Sequence, residues 1–206
     1  SFHFGYEDLE MFFSQKFILE TPLYFLRGLI IISAPLYLNN VETINFIDIL
    51  LLGEKWINLE SATYAYIFYF NLVSIFSLTL LFWIRKNINL KDFFIISFEV
   101  FSIVVIFKYL PLILAFTIYF CFMHSTKHIL SLAVELNGSN VYAGIKLFAK
   151  KAAPLTIITF AMSLIMLFYL SKEFSVDKSI LKIIFIGLAA LTLPHIILEY
   201  IYGKYK

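Results

Sequence analysis

The chain has 206 residues, of which 61% are hydrophobic, and a mean hydropathy of +0.88. That exceeds what a soluble domain of this length carries and places the chain in a membrane. Lys and Arg number 16 against 14 Asp and Glu, a net charge of +2 that is too small and too scattered for a nucleic-acid-binding surface. The single cysteine, Cys121, excludes a disulfide framework, and no paired Cys or Cys/His spacing points to structural zinc.

The opening SFHFGYEDLE has none of the charged, apolar and cleavage regions of a signal peptide. The chain is therefore expected to begin within a longer protein, with further N-terminal helices ahead of Ser1. Apolar runs at about 22–38, 64–84, 92–107, 109–132, 153–170 and 179–201 then predict an all-α, polytopic bundle of about six transmembrane helices. Lipid leaves no partner for free backbone groups, so spans of this kind are helical. Without a repeat or linker, residues 1–206 read as a single transmembrane domain.

Positive charge is divided unequally between the two sides of these spans. One side carries Lys16, Arg85, Lys86, Lys91, Lys127, Lys146, Lys150, Lys151, Lys204 and Lys206; the other carries Lys55, Lys108, Lys172, Lys178 and Lys182. The richer side is expected to be cytoplasmic in a multi-pass cell-membrane protein, with both termini of this chain on it. The acidic connection from Asn39 to Ser61 then lies outside.

This topology brings all four histidines, His3, His124, His128 and His195, toward one half of the bilayer. His124 and His128, in HSTKH, are one helical turn apart and share a face, about 5–6 Å from each other. A packed or interfacial pair is the plain alternative, but intramembrane ionisable groups are costly and usually functional, which favours a metal site. Imidazole donors with few carboxylates suit iron, copper or zinc. The absence of HExxH excludes that type of zinc protease. A haem clamped by two histidines stays open, as does a membrane transporter or channel with a histidine proton relay. The transporter would carry Gly/Pro-broken helices in two matching halves, a symmetry that is not visible here.

Other polar residues have two readings each. Asp8 either accepts a hydrogen bond from His3 and fixes its tautomer or begins the next helix. Arg27 either meets a buried carboxylate near the metal or snorkels to the surface. Glu99 lies mid-span with no partner identifiable from sequence. Pro194 is expected to kink its helix and aim His195; Glu199, one turn below, either orients that histidine or sits at the interface. Tyr119 and Tyr200 line a cavity or simply pack.

His3-Phe4-Gly5 with Asp8, Arg27-Gly28 inside an apolar span, HSTKH, and Leu193-Pro194-His195 together resemble the Brp/Blh family of membrane-bound β-carotene 15,15'-dioxygenases of bacteria and archaea. The resemblance runs over essentially the whole chain in the same order. It implies a non-haem enzyme that uses Fe(2+) and O2 to split β-carotene at its central double bond into two molecules of retinal, typically for a microbial rhodopsin. It also implies that His3, His124 and His128 are metal ligands. The family's fourth histidine comes from an upstream His-Gly motif that this chain lacks, so either preceding sequence supplies it or His195 completes the site. Asp8, Arg27, His195 and Glu199 would then support the ligands or face substrate. A carotenoid has no charged handle, so its grip must be hydrophobic contact along a tunnel opening to the lipid bilayer.

Overall fold

The computed structural model describes residues 2–9, 12–13, 20–50 and 60–188. These residues form helices α1 (Phe2–Leu9), α2 (Thr21–Leu38), α3 (Asn40–Leu50), α4 (Ser61–Ile84), α5 (Leu90–Tyr109), α6 (Leu112–Ile118), α7 (Ser125–Leu136) and α8 (Val141–Leu170). A π-helical segment, Tyr119–His124, joins α6 to α7 without a break, and residues 176–188 are helical as well. No strand occurs among the described residues. Pro194, His195, Glu199 and Tyr200 lie outside them.

Four helical stretches are long and apolar enough to cross a membrane: Thr21–Leu38, Ser61–Ile84, Leu112–Leu136 and Val141–Leu170. They correspond to four of the six expected spans. The 92–107 run became α5, which is long enough at roughly 30 Å but carries Lys91, Asp92, Glu99 and Lys108. The 179–201 run is described only as far as residue 188. Two boundaries also differ from the apolar runs. Helix α8 begins well before residue 153, because the helix continues through Lys146, Lys150 and Lys151, which hydropathy reads as an end. The acidic connection after Asn39 contains helix α3, whose apolar residues are too few to register as a span.

Helix α2 is the axis of the bundle, packed by α1, α3, α4 and α5. Pro22 starts it, where a missing amide costs nothing. Near its far end Pro35 removes one donor, and the chain turns into α3 at Asn39. That corner is tied down. The Asn39 side chain donates to the carbonyls of Phe107 (2.7 Å) and Leu110 (3.3 Å), and the Thr43 hydroxyl donates to the Pro35 carbonyl (2.9 Å). Asn71 of α4 is fully buried and reaches Ser33 of α2 at 3.1 Å, pinning the register of those two helices. By contrast, among the described residues α8 buries only Gly144. Its exposed Leu155, Ile157, Phe160, Met162 and Phe168 form an apolar surface far beyond what a water-soluble protein shows, as expected of a face turned to lipid.

Helix α1 lies against α2, and the contact depends on Gly5. A Cβ there would run into the Tyr24 carbonyl and stand 2.8 Å from the Gly28 amide nitrogen. Backbone meets backbone, so no side chain can yield. Gly5→Ala should therefore lower stability by about 1–3 kcal/mol through overpacking and loosen α1. Thermal unfolding of the purified protein in detergent checks this; an unchanged midpoint would contradict the close contact.

Candidate metal centre

Three of the histidines come together. His3 and Glu7 lie one turn apart on α1, His124 ends the π segment, and His128 stands in the first turn of α7. Glu7 is their common neighbour: its carboxylate oxygens are 3.7 Å from His3 Nε2, 3.3 Å from His124 Nε2 and 3.1 Å from His128 Nδ1. Among the described residues no group of three or more His, Cys, Asp or Glu side chains stands at distances that could hold a metal ion. What the three imidazoles share is this one carboxylate.

Asp8, the next residue, faces the other side of His124. Its Oδ1 is 3.1 Å from His124 Nδ1, while its Oδ2 accepts from the Tyr119 hydroxyl at 3.0 Å and lies 3.5 Å from Arg27 Nη2. Two readings of Asp8 are thereby corrected. Its imidazole partner is His124, because successive residues of a short helix point in different directions and it is Glu7 that shares a face with His3. Nor does Asp8 begin a helix; it stands near the end of α1.

The π segment is what makes this possible. With i→i+5 bonding, residues five apart lie nearly over one another, so Tyr119 and His124 both reach Asp8. In an α-helix they would diverge. Thr126 follows the same register, its hydroxyl donating to the carbonyl of Cys121 five residues earlier at 3.1 Å. Around His124 the rings of Phe4 (4.9 Å between centroids) and Phe120 (5.6 Å) pack against the imidazole.

Arg27 does not snorkel. It is fully buried, and its Nη2 bridges Asp8 and Glu99, the latter at 3.1 Å. Glu99 of α5, without a partner on the page of sequence alone, is held from both sides. Its second oxygen is 2.6 Å from Lys127 Nζ, which also donates to the Asp8 carbonyl at 3.2 Å. Two acids, Asp8 and Glu99, thus balance two bases, Arg27 and Lys127, in one cluster that is buried at Asp8 and Arg27 and half-buried at Glu99 and Lys127. This is how four helical segments agree on the position of His124.

In kind, though not in a closed arrangement, these donors are ones that an iron ion takes. With Nδ1 of His124 taken up by Asp8, Nε2 remains for a metal, and that is the nitrogen on the Glu7 side. Two atoms bound to one ion at about 2.0–2.2 Å stand some 3–3.5 Å apart, close to the Glu7–imidazole separations. Neutral imidazoles with one carboxylate suit Fe(2+) better than magnesium or calcium. Glu7 and Lys127 belong to this cluster and do not stand out in the sequence. The signal for Glu7 is its place four positions after His3 on the same face.

Fold and site together define a helical protein with several candidate membrane spans and a polar, histidine-bearing centre among its helices. The family model for beta-carotene 15,15'-dioxygenase matches residues 1–202, and the chain belongs to that family. A beta-carotene 15,15'-dioxygenase from an uncultured marine bacterium, 66A03, is 31% identical to it over 103 residues. That match covers 50% of this chain and 36% of the relative's length. No solved structure matches the chain.

Proposed function

We propose that this protein cleaves β-carotene at its central 15,15' double bond with O2, giving two molecules of retinal, at an Fe(2+) held by His3, His124 and His128. The observation that carries the reading is the meeting of three histidines, from segments more than a hundred residues apart, on the carboxylate of Glu7. Family membership supports the substrate class. The reaction balances without an external reductant: one carbon–carbon double bond is lost, two aldehydes form, and each takes one atom of O2. Iron, when bound, supplies the means of bringing O2 into reaction with an unactivated polyene.

The protein's own groups have separate tasks. Asp8 accepts the Nδ1 proton of His124, which leaves Nε2 as the donor on the metal side. Tyr119 and Arg27 hold Asp8 in place. Phe4 and Phe120 cover the imidazole and keep water from it. Glu7 would offer a further oxygen donor to the ion. Retinal, released into the bilayer, is then available to a membrane partner such as a microbial rhodopsin. Both ends of the chain are assigned to the cytoplasmic side.

Expression in β-carotene-producing cells tests this directly. Retinal should accumulate as carotene colour is lost; a membrane-inserted protein that leaves carotene intact and makes no retinal would overturn the proposal. Asp8→Asn keeps the shape of the side chain but removes the anion that orders His124. It should weaken metal affinity by about 10–100-fold, measured as the chelator concentration needed to strip iron. Wild-type metal retention in this variant would remove Asp8 from its orienting role.

A further inference from the structure

A second feature lies along the same two helices, away from the histidines. A half-open cavity of about 220 Å³ is lined by the second half of α2, α3, the end of α5, the start of α6 and Phe185. Thr43 is the one polar side chain among its described lining residues, and its hydroxyl is already engaged by the carbonyls of Pro35 and Asn39. The lining is therefore apolar. An apolar cavity of about 150 Å³ takes up benzene, so this one has room for a substituted six-membered ring. Its mouth lies at Ile32 and Ile113, which are exposed on the apolar exterior.

The cavity is joined to the histidine centre by a file of aromatic rings. His124 meets Phe120 at 5.6 Å, Phe120 stacks on Phe116 at 6.0 Å, Phe116 meets Phe185 at 4.9 Å, and Phe185 meets Phe46 at 4.4 Å. Phe116, Phe185 and Phe46 all line the cavity. The separation has a definite scale. Pro35, in the cavity wall, is eight residues beyond Arg27, and Phe116 is eight residues before His124. Eight residues of helix advance roughly 12 Å. From the middle of a carotenoid polyene to its end ring is also on the order of 10 Å, given bond lengths of about 1.3–1.5 Å.

We infer that this cavity receives one end ring of the substrate, so that the ring's seat, roughly half a carotenoid from the histidines, selects the central bond for cleavage. The inference rests on the reading of the histidine centre given above. Ile47 of α3 is the residue to change, because it lines the cavity, is half-buried, and stands outside the polar cluster. Ile47→Trp fills the space and Ile47→Ala enlarges it.

The experiment compares kcat/KM for β-carotene, which has end rings, with that for an acyclic carotene of the same polyene length, and records iron content alongside. Ile47→Trp should lower the value for β-carotene by about 10-fold or more and that for the acyclic carotene by less, with iron unchanged. Ile47→Ala should retain β-carotene cleavage and gain activity toward carotenes with bulkier end rings. A ring-to-acyclic ratio unchanged in both variants, in a protein that still cleaves carotene and holds iron, would overturn the cavity assignment alone and leave the space to a lipid chain. A wild-type protein that cleaves neither carotene would bring down the histidine reading and this inference with it.

Discussion

Alanine at either His124 or His128 is expected to abolish retinal formation while the protein still enters the membrane. The two imidazoles reach Glu7 from consecutive turns, His124 through Nε2 and His128 through Nδ1, at 3.3 and 3.1 Å. Removing either takes away a nitrogen donor facing Glu7, and the described rings packed against His124 belong to phenylalanine and tyrosine, which offer no nitrogen in its place. Insertion should not suffer, because alanine in place of histidine makes the helix more apolar. The check is retinal extracted from carotene-producing cells against protein in the membrane fraction. Retinal at more than a small fraction of the wild-type level in either variant would show that the residue is not a ligand. His3→Ala should fail in the same way.

The second large effect concerns Arg27. Its side chain is fully buried between Asp8 and Glu99, and Arg27→Met would leave those carboxylates with Lys127 as their described cationic neighbour. Breaking one side of a buried ionic cluster costs about 3–5 kcal/mol, because the remaining charge has lost both water and partner. That is a large part of the stability of a typical domain. The variant should unfold at a markedly lower temperature in detergent or fail to accumulate. Combining Arg27→Met with Glu99→Gln removes one acid along with the base and should recover part of the loss, with Lys127 left to face Asp8. A single variant as stable as the wild type would contradict the buried network as described.

Much of this arrangement was legible before any coordinates. The HSTKH pair stood out because histidine is rare in an apolar run and four-residue spacing fixes a common face. His3 joined it through the expected topology and through the family resemblance. Arg27 was correctly suspected of meeting an acid. Other parts were not legible, for physical reasons. The choice of His124 over His3 as the partner of Asp8 depends on the direction in which a two-turn helix docks, which the Gly5–Tyr24 contact decides. Hydropathy does not distinguish a π segment from an α-helix, yet the stacking of Tyr119 over His124 depends on it. Glu7 gains its meaning only once α1 is docked beside His124 and His128, and Glu99 has no visible partner in sequence because Arg27 is distant along the chain. Hydropathy is least decisive where charge and hydrophobicity are mixed within one helix, as in α5.

The most direct test of the account is the metal content of the purified protein, measured as iron per chain in the wild type and in the His124→Ala and His128→Ala variants. The account predicts about one iron per chain in the wild type, as expected for a single site, and its loss in both variants. Wild-type protein that makes retinal without iron, or variants that keep the wild-type iron content, would contradict it.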